Sequence, residues 1–483
     1  MPAAAVRVLF LAAEATPLVK VGGLADVIGS LPHALQEEGH DVRVAIPGYG
    51  AIDWARFAPQ WRARFPVPSG AGDQMADIFE TRVGDVPHWL VTGPPIPHTR
   101  TIYGSGIEED GPKFIFFSLA ALWACESLDW KPDVVHAHDY HAGAAVLWLA
   151  TSARYNDYFR TVASVFTIHN LPYAGQGAGK AMGLYRLSMP GGIFALPEAF
   201  RDSLLGVALL TADWLSTVSP TYAREIQTPE GGRGLETVLR ARADHLSGIT
   251  NGIDVELYDP ATDSALASRY DADSIGAREK NKTALQREAG LAEAPRSPLA
   301  AVVSRIDAHQ KGMDIAAAAL PAWIAAGGQF ILLGTGDPSL EQQFARLELA
   351  FPGRASVRLR FDAAYARRIY AGSDLLLVPS RYEPCGLTQM IGMRYGAVPV
   401  VRRTGGLADT VVDAGDPGGT GLMFDEPRPE ALADALARAA RVYADAGAWR
   451  QLMRRGMAKD FSWKRSAREY ALLYERAVRQ RRA

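Results

Sequence analysis

The sequence predicts an α/β protein built from two doubly wound, Rossmann-like domains, and three observations carry that reading. Short apolar runs alternate with helix-length amphipathic segments from end to end. Each run has about four to eight residues rich in Val, Ile, Leu and Phe, as parallel strands buried on both faces require. The chain has 483 residues, more than one hydrophobic core usually serves. The strand rhythm also stops after Asn251-Gly252, gives way to a long charged helical stretch, and restarts at "LAAVVSRI". The hinge is therefore placed at residues 250–256. An N-terminal Rossmann-like domain covers 1–252 and a C-terminal one covers 253–460. The basic stretch 461–483 reads as a final helix that packs back on the first domain. Two such domains turn the carboxyl ends of their strands towards a shared central cleft.

Taken in order, the first half places strands at "VRVLFLAA", "DVRVAIP", "HWLV", "PDVVHAH", "ASVFTIHN" and "WLSTVSP". The second half places them at "LAAVVSRI", "QFILLGTG", "ASVRLRF", "SDLLLVPS" and "AVPVVRR". The opening run has the small residues of a secretory leader. Arg7 interrupts it, however, and Glu14 closes it, so it reads as a first buried strand. No apolar run approaches the ~18 residues needed to span a bilayer. Hydrophobic residues make up 48% and charged residues 22%, and the formal net charge is −2. That balance gives no reason to expect nucleic acid or an acidic membrane as partner. Only two cysteines occur, Cys125 and Cys385, which suits a reducing cytoplasm and offers no disulfide framework.

The chemistry-bearing residues sit at strand ends. Lys20-Val21-Gly22-Gly23 follows the first strand, and Asp26 lies in the first turn of the next helix. A lysine beside two glycines suits an anion, yet the stretch is neither G-x-G-x-x-G nor G-x-x-x-x-G-K-[ST]. "GGLAD" recurs at Gly405–Asp409. One copy follows the first strand of its half and the other the last clear strand of its half. They read as separate strand-to-helix turns, not as a duplicated domain.

"HAHDYHAG" places His136, His138, Asp139 and His141 after a strand, either as metal ligands or as polar groups lining a cleft. His169 ends another strand, as a structural or a functional histidine. Arg305 and Lys311, at the mouth of the second sheet, suit a diphosphate whose charge must be balanced as a bond to it breaks. Glu383-Pro384-Cys385-Gly386-Leu387-Thr388 leads from a strand into a helix. Pro384, Gly386 and Thr388 fit a tight turn and a helix start, whose free N–H groups suit an anion. For Cys385 the one evident strand-end histidine, His169, lies in the other domain, which argues against a thiol nucleophile. "LLGTGDPSL" comes nearest to a dinucleotide fingerprint but lacks the third glycine.

Together "KVGGLADV", "DVVHAHDYHAG", "VFTIHN", "TVSPTYAREI", "NGID", "VVSRIDAHQKG", "PSRYEPCGLTQM", "RRTGGLADTV" and "DFSW" resemble bacterial glycogen synthases and plant starch synthases, glycosyltransferase family 5. The resemblance implies a GT-B fold, with the acceptor on the first domain and the nucleotide sugar on the second. It implies transfer of glucose from ADP-glucose to the non-reducing end of an α-1,4-glucan, glycogen or a maltooligosaccharide. Configuration is retained and neither metal nor other cofactor takes part.

By the same resemblance, Lys20, Gly22 and Gly23 meet the donor's phosphates, and Asn251 joins the donor-binding set. Asp26, Asp139 and Tyr103 serve sugar or acceptor, and His169 contacts the transferred glucose. Arg305 and Lys311 neutralise the departing diphosphate. Glu383 holds glucose hydroxyls, and the Gly386–Thr388 backbone caps a phosphate. The first domain is expected to close over the donor. The chain departs from the family at Val21, at Lys113-Phe114, at "LLGVALLTAD" and over "GQGAGKAMGLYRLSMPGGIFALPEAF". Ile391 stands where related retaining transferases carry a second glutamate, so no paired-carboxylate scheme rests there.

Overall fold

Runs dominated by apolar residues become strands with little exposed surface. In the computed structural model, which describes residues 5–482, β1 (Arg7–Leu11), β2 (Asp41–Pro47), β3 (Gln60–Val67), β4 (Gln74–Val83), β5 (Val86–Thr92), β6 (Val134–His138), β7 (Ala163–Ile168), β8 (Trp214–Thr217) and β9 (Leu246–Gly248) form one sheet. Its order is β3-β4-β5-β2-β1-β6-β7-β8-β9. The extreme ends of the ranges assigned from sequence, 1–4 and 483, lie outside the described residues. Neighbours from β5 to β9 run parallel. β5, β6 and β7 are buried at every position, which suits their mostly apolar sequences; the polar residues among them, such as His136, His138 and Thr167, are buried too.

β3 and β4 depart from the expected parallel sheet. They add an antiparallel edge to β5. Most of β3 is exposed, and its polar side chains find partners across the pair: Arg62 meets Glu80, and the Trp61 indole donates to Asp77 at 3.0 Å. A hairpin with one wet face has no continuous apolar run, and the sequence reading passed over it for that reason.

A second sheet contains β10 (Leu299–Val303), β11 (Gln329–Leu333), β12 (Ala355–Arg358), β13 (Leu375–Val378), β14 (Val398–Arg402) and β15 (Leu422–Phe424). All its pairs are parallel, in the order β12-β11-β10-β13-β14-β15. β15 corrects the placement of the second "GGLAD". Its helix, Gly405–Thr410, lies between β14 and β15 and so does not follow the last strand. A three-residue strand is too short to declare itself by pattern.

Contacts divide the chain into two units, Met1–Gly252 with Trp463–Ala483, and Ile253–Ser462. The last helix, Trp463–Arg482, belongs to the first unit. It lies against the helix Gly23–Glu37 and against β7. Ser466 donates to the Thr250 carbonyl at 2.6 Å, and Tyr474 bonds His136 Nδ1 at 2.8 Å. No helix among the described residues is long and apolar enough to cross a membrane.

Among its parallel strands each sheet reverses its order once. The reversal falls between β1 and β6 in the first and between β10 and β13 in the second. Open α/β sheets bind ligands beyond the carboxyl ends of their strands at such points. The stretches singled out by sequence follow these strands and their neighbour β7.

Candidate active site

In the first unit the organising group is one the sequence reading missed, Glu14. It is buried just beyond β1. Its carboxylate accepts the N–H groups of Val21 and, at 3.0 Å, of Gly22, and the Tyr103 hydroxyl donates to it at 3.0 Å. Glu14 therefore joins the Lys20–Gly23 turn to the Tyr103 loop. The Lys20 ammonium reaches Asp26 at 2.6 and 2.8 Å. Burial raises the Asp26 carboxyl, and the charge of Lys20 opposes that shift. Lys113 is buried in a 2.5 Å ion pair with Asp110 and donates to the Ile102 carbonyl at 2.7 Å, bracing the same loop. Tyr103 lines a cavity of about 700 Å³ with Pro94, Pro97, Thr99 and Thr101.

Asp139 follows β6 with φ 55°, a left-handed backbone that is strained outside glycine. Two bonds hold it there: its N–H donates to the Thr167 carbonyl at 3.0 Å, and its carboxylate accepts the His169 N–H at 2.7 Å. Burial pushes the Asp139 carboxyl up to about 7, although the His169 and Asn170 N–H groups favour the charged form. His169 Nε2 lies 2.9 Å from His138 Nδ1. Burial draws His169 down to about 3, so its imidazole is neutral at pH 7. Both ring nitrogens of His136 are engaged, by Tyr474 and by Thr167 at 2.6 Å. Among the described residues no group of three or more His, Cys, Asp or Glu side chains could hold a metal ion. Asn251 is buried at the end of the first segment, and its Oδ1 has no hydrogen-bond partner.

The second unit assembles its site from the loops after β10 and β13. Lys311 Nζ contacts both oxygens of buried Glu383, at 2.9 and 2.7 Å, and Ser380 Oγ donates to the same carboxylate at 2.8 Å. Arg305 is exposed and bonds Gln310 Oε1 at 2.9 Å. It lines a hollow of about 300 Å³ with Asp307, His309, Thr335 and Asp337.

Residues not singled out by sequence lace these loops together. Arg381 grips Asp314 at 2.6 and 2.8 Å and donates to the Ala308 carbonyl, while its N–H reaches the Gln310 carbonyl at 2.8 Å. Arg402 donates to the Ser380 carbonyl at 2.8 Å. The buried Gln389 side chain fixes the Cys385 and Gly386 carbonyls at 3.1 and 3.0 Å. Gly386 has φ 73°, and Leu387 leads into the short helix Thr388–Arg394. Cys385, within this loop, is buried.

The two "GGLAD" turns meet different surroundings. A Cβ on Gly405 would stand 1.9 Å from the Glu383 carbonyl oxygen, and one on Gly406 would stand 2.3 Å from that of Cys385. A Cβ on Gly22 would make an ordinary 3.6 Å contact with Glu14, and one on Gly23 would meet nothing within 4 Å.

The structure thus brings Lys20, Gly22, Gly23, Asp26 and Tyr103 together around Glu14, whose charge also raises Asp139 beside His169. Arg305, Lys311, Glu383, Gly386, Leu387 and Thr388 share the second unit's paired loops. Asn251 makes no hydrogen bond to either set through its side-chain oxygen.

Known proteins resemble this chain over nearly all of its length. Residues 7–241 match the starch synthase catalytic domain family, and residues 297–441 match the group 1 glycosyl transferases. The chain is 42% identical to a glycogen synthase of Moorella thermoacetica, covering 99% of this chain and 98% of the relative. It is 44% identical to one of Anaeromyxobacter dehalogenans, covering 97% and 98%. The catalytic domain of starch synthase IV from Arabidopsis thaliana, bound to ADP and acarbose, superposes with TM-score 0.89 at 32% identity, over 99% of this chain and all of that one. A sucrose-phosphate synthase from Thermosynechococcus elongatus shares the fold at TM-score 0.60 and 19% identity, over 97% and 98% of the two chains. The chain belongs to the family of bacterial glycogen synthases and starch synthases, glycosyltransferases of GT-B fold.

Proposed function

We propose that this chain is a retaining glucosyltransferase that moves glucose from ADP-glucose to the non-reducing end of an α-1,4-glucan. The observation that carries the reading is the Lys311–Glu383 pair at the reversal of the second sheet. It sets a cation beside a buried carboxylate, with Arg305 on the adjoining loop. Breaking the bond from the anomeric carbon to ADP leaves charge on the diphosphate. Preorganised Arg305 and Lys311 stabilise it without reorganisation. The same two cations do what a metal would otherwise do, and the reaction as proposed uses none.

Glu383 is held on both oxygens, so it is suited to orient glucose hydroxyls and poorly suited to attack carbon. The acceptor hydroxyl attacks on the face that ADP leaves, and the departing phosphate takes its proton. This retains configuration with no covalent enzyme intermediate. The protein contributes position and charge. His169, neutral at pH 7, offers a hydrogen bond to the transferred glucose. Lys20 with Gly22 and Gly23 meets the phosphates, and the Gly386–Thr388 backbone caps one of them. Asn251 completes the donor set. Asp26, Asp139 and Tyr103 serve sugar and acceptor, with the cavity beside Tyr103 as room for a glucan. Two cysteines outside any disulfide support work in the reducing cytoplasm.

The test is extension of glycogen and of maltooligosaccharides with radiolabelled ADP-glucose and UDP-glucose side by side. ADP-glucose should be the better donor by about tenfold or more, the scale of one discriminating hydrogen bond. No extension with ADP-glucose overturns the reading. Lys311→Ala and Glu383→Ala should still bind glycogen while kcat falls about 10²–10³-fold, the usual loss when preorganised charge stabilisation is removed.

A further inference from the structure

His169 is a half-buried ring with one nitrogen tied inward. Its Nε2 lies 2.9 Å from His138 Nδ1, and among the described residues no other group hydrogen-bonds the ring. His138 is fully buried at the end of β6, with its ring 4.0 Å from that of His136 and stacked on Phe10 at 5.2 Å. Its second nitrogen, Nε2, is buried without a hydrogen-bond partner. His136 is itself pinned by Tyr474 and Thr167. The His138 ring therefore has one polar contact, and that contact is His169.

Both rings are neutral, since burial lowers each. One proton must lie in the 2.9 Å contact, and two arrangements are possible. If His169 Nε2–H donates, the proton of His138 sits on its Nε2 as a buried N–H with no acceptor. If His138 Nδ1–H donates, His138 Nε2 is a bare lone pair. Orphaned buried N–H groups are rarer than under-satisfied acceptors, and so the second arrangement is favoured. It fixes His169 as the tautomer with its proton on Nδ1, the nitrogen without a protein partner. We infer that His138 is the positioning residue of the transfer site: it donates from Nδ1 to His169 Nε2, and so makes His169 Nδ1–H a hydrogen-bond donor towards a hydroxyl oxygen of the transferred sugar.

The choice of sugar rests on the function proposed above; the tautomer does not, and it can be read with no substrate present. Long-range ¹H–¹⁵N correlation on histidine-labelled full-length protein identifies the protonated nitrogen of each neutral ring, with His169→Gln assigning the signal. The wild type should show His169 protonated at Nδ1. In His138→Phe, which keeps a buried ring but no donor, His169 should move towards protonation at Nε2, and kcat should fall about tenfold or more, the weight of one hydrogen bond made in the transition state. His138→Asn places an amide N–H where Nδ1–H stood and should restore both. A wild-type His169 protonated at Nε2 overturns the inference, as does a His169 signal that His138→Phe leaves unmoved. A glucose donor other than ADP-glucose would change the kinetic assay and leave the spectra as stated.

Discussion

The same five residues, Gly-Gly-Leu-Ala-Asp, open a helix in each half of the molecule, and the two copies need their glycines for opposite reasons. At Gly405 and Gly406 the chain itself fills the space. The Glu383 and Cys385 backbones pass so close that any side chain would collide with a carbonyl oxygen, and Gly405 has φ 43° as well. There the glycine pair is a bearing surface for the loop that carries Glu383. At Gly22 and Gly23 the chain leaves room: neither has a positive φ, a Cβ on Gly22 would make only an ordinary contact with Glu14, and Gly23 faces open space. Folding alone would accept alanine, so the bareness of that turn serves something outside the chain. This physical difference separates a structural glycine from one that makes room for a ligand.

The contrast breaks most visibly at the second copy. Gly406→Ala should destabilise the second unit by about 3–5 kcal/mol, since clashes with backbone cannot relax as side-chain clashes do. Urea unfolding followed by tryptophan fluorescence would report it. Glycogen extension should be lost in parallel, because the clash displaces the loop bearing Glu383.

Acid should separate the two halves next. Nine of the ten histidines lie in the first unit. Burial holds His88 at about 4 and His141 and His169 at about 3, with His136 and His138 also lowered. Folded values below the unfolded ~6.5 mean that the unfolded chain binds the extra protons. The stability these rings confer is complete above pH 6.5 and drains away as pH falls through the folded values. Asp139, raised to about 7, works in the opposite direction between about pH 7 and 4, as one group against five. The first unit should therefore lose stability on the order of several kcal/mol between pH 6.5 and 4, and unfold before the second. Hydrogen exchange at a series of pH values would show which sheet opens first; equal loss in both would contradict the account.

The smallest effect belongs to the Lys20–Asp26 pair. Its side chains are 40% and 28% exposed, so Asp26→Asn should change stability by less than about 1 kcal/mol in urea unfolding. A larger loss would make the pair a structural brace and narrow the difference between the two turns.

How much of this was legible depended on range. Buried parallel strands declare themselves in a few consecutive residues, and β1, β6, β7, β10 and β13 did so. Strand ends then pointed to Lys20, Asp139, His169, Arg305, Lys311 and Glu383. The β3–β4 hairpin was silent because one face is wet, and β15 because it is three residues long. Glu14 was silent for another reason. Its partner Tyr103 lies 89 positions away, and nothing local marks a glutamate that caps a distant loop. Arg381 and Gln389 are of the same kind: their roles consist of contacts between loops, and the loops meet only once the sheet has formed. The repeated "GGLAD" was readable as two turns, but which glycines the fold itself demands is visible only in the folded structure.

The most direct measurement compares thermal unfolding of wild type, Gly23→Ala and Gly406→Ala, each with and without saturating ADP. Gly23→Ala should unfold within about 1 kcal/mol of wild type, since alanine is no worse than glycine in a helix start with open space around it. It should nevertheless lose most of the ADP-induced rise in Tm, because a ligand that no longer binds the folded state no longer stabilises it. Gly406→Ala should unfold far earlier even without ligand. If Gly23→Ala instead melts as low as Gly406→Ala, or keeps the full rise with ADP, the first glycine pair serves the fold and the account is wrong.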